Sequence, residues 1–134
     1  MSAVLVDSSV LLDVLTVDPE WGDRSAAALA AVADAAPLVI DPIIYAEVSV
    51  RFTTIEELEA ALPAAVFRRE PLPWEAAFLA GKVFLRYRRA GGEKSAPLPD
   101  FLIAAHAAVA GHRLLTRDPR RVRRYFPTVE LIHP

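Results

Sequence analysis

Four acidic residues stand where an acid is costly. Asp7 follows the apolar run AVLV, Glu47 lies inside IIYAEVSV, Asp100 precedes FLIAAHAAVA, and Asp118 closes RLLTRD. Most other Asp and Glu residues have polar neighbours, whereas these are crowded by apolar ones. Carboxylates drawn together repel, and burial raises their pKa values further. Magnesium or manganese offsets that repulsion, since both are hard cations served by oxygen ligands. If the four side chains converge, the chemistry is that of a divalent ion that activates water and stabilises developing negative charge.

Convergence depends on the elements that carry them. AVLV reads as a central strand, Pro37–Ile40 as a second, Ala65–Phe67 as a short third, Leu114–Thr116 as a fourth and Val129–Ile132 as the last. Between them the spacing predicts a helix through Leu11, Leu12 and Leu15, an Ala-rich helix from Asp23 to Ala35, and one carrying Ile43 to Arg51. Thr54 and Glu57 match a capping box. Trp74–Arg89 follows Pro73 and should bury Phe78, Leu79, Val83, Phe84 and Tyr87, with Gly91-Gly92 ending it. Asp100 opens the next helix, Gly111 ends it, and a short Arg-rich helix follows Pro119. This alternation predicts an α/β fold with a parallel sheet and helices on both faces, in one domain spanning residues 1–134. Ligands of such sheets bind beyond the carboxyl ends of the strands, the edge to which Asp7, Glu47, Asp100 and Asp118 are all assigned.

Each acid also has a plain structural role available. Asp7 or Asp100 can cap a helix, Glu47 can pair with Arg51 four residues on, and Asp118 before Pro119 can start a turn. Their shared edge favours the site. His106 and His112 are read as structural or surface residues, since His106 lies six positions beyond Asp100. Ser8, Ser9 and Thr116 have no visible base partner, so capping or support of the acids suits them better than nucleophilic attack.

Composition narrows the classes. With 134 residues and 54% hydrophobic content, general disorder is excluded, and the apolar runs fall short of a membrane span. The absence of Cys excludes thiolate catalysis and disulfides, and with no basic leader the expectation is a cytoplasmic protein. A net charge of −2 argues against a protein that coats nucleic acid, yet basic residues are grouped. Arg86, Arg89, Lys94, Arg117 and Arg120 flank the acids and are candidates to hold phosphate oxygens.

The same stretches resemble the PIN domain, especially the VapC-type toxins of toxin–antitoxin pairs. VDSSVLLDVL is similar to the family opening and places Asp7 at its first acid. IIYAEV places Glu47 at the second, and LPDFLIAAHAAVAGHRLLTRD places Asp100 and Asp118 at the later ones. Ser9 and Thr116 fall at small polar positions that support the first and last acids, and FPTVELI resembles the final strand. The resemblance implies a three-layer α/β/α fold around a parallel sheet of about five strands. It also implies a metal-dependent ribonuclease that uses Mg2+, or Mn2+, through Asp7, Glu47, Asp100 and Asp118, forms a homodimer, and is neutralised by a cognate antitoxin. The chain departs from the pattern at Arg121, where many relatives carry Asp, and at Val122, where Phe often follows. Fewer late acids imply weaker binding of a second ion. The alternative from another class is a non-catalytic, magnesium-stabilised module that binds RNA or protein.

Overall fold

The computed structural model describes residues 2–92 and 98–134. Its central feature is a five-stranded parallel sheet in the order β3-β2-β1-β4-β5. The strands are β1 (Val4–Val6), β2 (Leu38–Ile40), β3 (Phe67–Arg69), β4 (Arg113–Leu115) and β5 (Leu131–Ile132). All residues of β1 and β2 are buried, because helices cover both faces of the sheet and leave no room for alternating polar side chains. The result is the expected three-layer α/β/α arrangement.

From β1 the chain builds outward through β2 and β3, then returns to the other side of β1 for β4 and β5. The reversal lies between β1 and β4, where connections leave in opposite directions and a crevice opens beyond the carboxyl ends. Asp7 directly follows β1, and Thr116 to Asp118 follow β4. The sheet order alone therefore brings residues from opposite ends of the sequence to one crevice.

Several strand boundaries differ from those expected, and the last strand runs only over Leu131–Ile132 rather than Val129–Ile132. The third strand starts at Phe67 and runs on through Arg68 and Arg69, with Leu38 opposite Phe67 and Ile40 opposite Arg69. Val66 belongs to the preceding turn, where its amide donates to the Pro63 carbonyl. An edge strand needs only one buried residue, and Phe67 suffices, so hydrophobicity pointed two residues too early. The fourth strand ends at Leu115, although the Thr116 amide still donates to Ile132.

The helices are α1 (Ser8–Leu15), α2 (Gly22–Ala35), α3 (Pro42–Ser49), α4 (Ile55–Ala61), α5 (Trp74–Arg89), α6 (Leu98–Ala110) and α7 (Arg120–Tyr125). Thr54 and Glu57 form the expected capping box at α4. On α5 the buried face is Ala76, Ala80 and Val83, while Phe78 points outward with 69% of its surface exposed. The expectation that Phe78 belongs to the core is therefore corrected: small residues face the neighbouring helix, and the large ring is turned away. Ala104, Ala105 and Ala107 on α6 are likewise buried, which suits close approach of helix backbones.

Phe101 anchors α6. Its fully buried ring meets Tyr87 at 5.4 Å, Tyr125 at 5.5 Å, Phe126 at 6.0 Å and Phe84 at 6.4 Å between centroids. These aromatics come from α5, α6, α7 and its C-terminal end, so one side chain ties three helices together. Because Asp100 is its neighbour in sequence, Phe101 also fixes how α6 presents that acid. Phe101→Ala is expected to cost about 3–5 kcal/mol in chemical denaturation. A loss below about 1 kcal/mol would show that the cluster does not depend on this ring.

Candidate active site

A cleft of about 310 Å3 opens at the crevice between β1 and β4. Asp7, Asp100 and Asp118 line it together with Ser8, Ser9 and Arg121. Asp7 arrives from β1, Asp100 from the first turn of α6, and Asp118 from the loop after β4. Glu47 is not a lining residue, but Ser8, which is, donates to Glu47 Oε1 at 2.7 Å. The residues expected to converge are thus brought together, Glu47 through its hydrogen bond to the cleft wall.

Asp7 is the most tightly held. It occupies the position before α1, yet its carboxylate does not cap that helix. Instead Ser9 Oγ donates to Asp7 Oδ2 at 2.8 Å and Thr116 Oγ1 donates to the same oxygen at 2.9 Å. Each hydroxyl in turn accepts a backbone amide, that of Arg117 at 3.3 Å for Ser9 and that of Asp118 at 3.2 Å for Thr116. Every hydroxyl proton is therefore committed to the acid. These residues act as fixed donors that hold and orient the Asp7 carboxylate.

The electrostatics are unfavourable while the acids stand alone. Burial raises the Asp7 carboxyl above its ordinary value, and the hydrogen bonds from Ser9 and Thr116 only partly oppose it. Glu47 is raised by burial, against the Ser8 hydrogen bond, and further by the charges of Asp7, Asp100 and Asp41. Asp100 is raised by the packing around it and by Asp7, with Arg121 opposing, although 52% of its side chain meets solvent. The shared upward push and the oxygen-only donor set fit a hard divalent cation. Glu47 Oε2 accepts no hydrogen bond among the described residues and stays free for such a ligand.

The alternative roles of the acids are not the ones the fold uses. Arg51 lies past the end of α3, and Glu47 is engaged by Ser8 instead. Asp100 does not open its helix as expected: α6 runs from Leu98, so the acid sits inside the first turn. There it pairs with Arg121, whose Nη1 lies 3.2 Å from Asp100 Oδ2. The departure seen in the sequence thus places a cation of the chain itself against one of the acids.

The basic candidates separate into groups. Arg117 lines the cleft, but its guanidinium donates to the buried carboxylate of Asp13 at 2.9 Å. Asp13 also accepts from Ser25, so Arg117 joins α1 and α2 to the loop after β4. Arg86, Arg89 and Arg120 are exposed and do not line the cleft. Lys94 lies outside the described residues.

Ser8 and Arg121 were noticed in the sequence without these partners, and Asp41 and Glu70 were not singled out at all. Asp41 carried a readable signal, since it follows the buried strand LVI much as Asp7 follows AVLV. Its Oδ1 caps α3 by accepting the Ile44 amide at 2.9 Å, and its Oδ2 lies 2.9 Å from Nδ1 of the buried His106. Beyond His106 stand Glu70 and His112, and one ligand atom from each of these three residues lies within 4.8 Å of the others. This second cluster can also hold a divalent metal.

Comparison with known proteins now gives the family. The family model described as the PIN domain matches residues 4–126. The chain belongs to the PIN-domain family. Among solved structures, this PIN domain is similar to VapBC2 from Rickettsia felis bound to a fragment of promoter DNA, with a TM-score of 0.75 and 17% identity over 98% of each chain. It is similar to VapBC-1 from nontypeable Haemophilus influenzae, with a TM-score of 0.73 and 16% identity over 98% of this chain and 97% of that one. VapC20 of Mycobacterium tuberculosis, described as a toxin that cleaves the sarcin–ricin loop, gives a TM-score of 0.61 at 15% identity over 83% of this chain and 85% of its own. At such identities the likeness speaks for the fold. No curated protein sequence matches.

The raised carboxyl of Asp7 has a testable sign. A group raised in the folded state stabilises fully below its unfolded pKa, and that contribution is lost as pH rises through the folded value. Asp7→Asn should therefore stabilise the metal-free PIN domain at neutral pH. The gain should vanish below the ordinary carboxylate range. Urea unfolding in chelator across that pH window reads it. Destabilisation at neutral pH would mean that Asp7 is comfortable as a charged group.

Proposed function

We propose that this PIN domain is a metal-dependent ribonuclease and the toxin of a toxin–antitoxin pair, acting through Asp7, Glu47, Asp100 and Asp118 with Mg2+ or Mn2+. The observation that carries this is the lining of one crevice by Asp7, Asp100 and Asp118, with Glu47 tied to its wall, in a chain of this family. The likeness to VapBC assemblies supports the toxin role. In this reading residues 1–134 work as a single domain.

Asp7, Glu47 and Asp100 would hold the principal ion, and Asp118 would complete the acidic pocket. When bound, that ion lowers the pKa of water and neutralises charge at the phosphate. The chain's own groups do the positioning. Ser9 and Thr116 keep Asp7 from turning, and Ser8 does the same for Glu47. Arg121 stands on the cleft wall with further N–H donors than the one it gives Asp100, and these can receive a phosphate oxygen. No covalent intermediate is required in this reading, because water would be the nucleophile.

RNA must reach an acidic cleft, so the approach has to be basic. Arg86, Arg89 and Arg120, all exposed, are assigned to the backbone of the substrate, with Lys94 as a further candidate by sequence. Trp74, Phe78 and Leu85 leave an apolar stripe exposed on α5, and this is assigned to contact with a second copy of the chain or with the antitoxin. Among the described residues no helix is long and apolar enough to cross a membrane. The cytoplasm is the proposed compartment.

Purified protein should cleave RNA only with added Mg2+ or Mn2+, and Asp7→Asn and Asp100→Asn should each slow cleavage at least about a hundredfold while remaining folded. Cleavage that persists in chelator, or is unchanged in both variants, would reject the assignment. RNA binding without cleavage under all metal conditions would favour the non-catalytic module.

A further inference from the structure

We propose a second metal site, separate from the acid cleft and suited to zinc, in which His106 Nε2, His112 Nε2 and Glu70 Oε1 are the ligands and Asp41 orients His106. None of these residues lines the cleft. His106 lies six residues beyond Asp100 on α6, roughly 9 Å farther along the helix axis. The two sites also differ in chemistry. The cleft offers oxygen alone, whereas this cluster offers two imidazoles and one carboxylate, the donor set that favours zinc over magnesium.

The hydrogen-bond pattern around His106 is what points to a cation. Its Nδ1 lies 2.9 Å from Asp41 Oδ2 and its Nε2 lies 3.3 Å from Glu70 Oε1. A neutral imidazole carries a single N–H, so with Nδ1 donating to Asp41 its Nε2 turns a lone pair toward a carboxylate oxygen. Either a second proton or a metal ion must stand on that side. Glu70 Oε1 also faces His112 Nε2 at 2.7 Å, so the same oxygen meets both rings.

The geometry is close to what zinc requires. Tetrahedral zinc with bonds of about 2.1 Å separates its ligand atoms by about 3.4 Å. Glu70 and His106 already stand at 3.3 Å, while His112 is 2.7 Å from Glu70 and needs to back away by a fraction of an ångström. It has room to do so, being on the turn after α6 rather than within the helix. The two rings lie 5.7 Å apart at 62°, with neither stacked on the other.

His106 cannot readily shift, because its ring is buried and Asp41 is itself fixed as the cap of α3. A carboxylate on the far nitrogen of a ligating histidine sets its tautomer and strengthens it as a donor. Asp41 and Glu70 also line a cavity of about 320 Å3, together with Tyr45 and Arg69. Arg69 would oppose a cation there, but its charge is engaged by Glu59 at 2.8 Å.

Zinc would take the place of any proton standing on Nε2 of His106 or His112, which would pass to solvent. The ion would link the end of β3 to α6 and to the turn before β4, adding stability without entering the proposed reaction. This site stands independently of the nuclease assignment.

The test uses the full chain, stripped with chelator and titrated with Zn2+, and with Co2+ as a spectroscopic probe. One equivalent of zinc should bind per chain and raise the thermal midpoint, and millimolar Mg2+ should not displace it. His112→Ala and Glu70→Gln should each weaken zinc binding at least tenfold, with folding checked by circular dichroism. Asp41→Asn, which can still cap α3, should weaken it about 10- to 100-fold. Asp100→Asn should leave it intact. No stoichiometric uptake by the wild-type chain would overturn the site. So would uptake that survives both ligand variants, or uptake lost in Asp100→Asn, which would place the zinc in the cleft.

Discussion

Repulsion among carboxylates that the fold will not let separate is the constraint on which the rest of the structure depends. Asp7, Glu47 and Asp100 each have pKa values pushed upward, with burial as the largest cause and neighbouring acids adding to it for Glu47 and Asp100. Nothing in folding alone rewards such an arrangement, since charges taken out of water are expensive unless compensated. The protein compensates only in part. Hydroxyls of Ser8, Ser9 and Thr116 donate to two of the acids, and Arg121 reaches a third. These contacts fix the carboxylates in place and still leave the site short of positive charge.

That shortage explains several local choices. β4 stops after Leu115, so that Thr116 can turn its hydroxyl toward Asp7 while its amide continues the ladder to Ile132. Pro119 then closes the strand without offering a further donor. The buried aromatic cluster about Phe101 holds the first turn of α6 against α5 and α7, which keeps Asp100 near Asp7. Arg117, although beside the acids, is held by Asp13 and serves as a strut between α1 and the loop after β4. Arg121, 3.2 Å from Asp100, is the cation left facing the acids, and it offsets part of the negative charge of the cleft.

Much of this was legible before any coordinates. Continuous apolar runs such as AVLV and LVI announce buried parallel strands, and an acid placed directly after one is visible in the letters alone. The capping box at Thr54 and the glycine breaks after α5 and α6 follow from local backbone chemistry in the same way. What could not be read were matters settled by partners distant in sequence. β3 is an edge strand whose register is decided by β2, and the exposure of Phe78 is decided by which face of α5 the small residues of α6 accept. His106 has no local signal at all: its roles depend on Asp41 and Glu70, which lie 65 and 36 residues away. Arg121 was recognised as a departure, but its contact with Asp100 required the fold.

The two clusters of ligand-type side chains also show how donor chemistry divides labour within a small fold. One is an open crevice lined by carboxylate oxygens at the switch point of the sheet, suited to a hard divalent ion. The other is a half-buried group that includes two imidazoles, suited to an ion that stays. A crystal structure of the full chain grown with Mn2+, with anomalous scattering recorded at the manganese edge, tests the central claim most directly. The expected result is manganese in the crevice, bounded by carboxylate oxygens of Asp7, Glu47 and Asp100. A crevice that stays free of manganese at saturating concentration, with the acids turned apart or protonated, would contradict it.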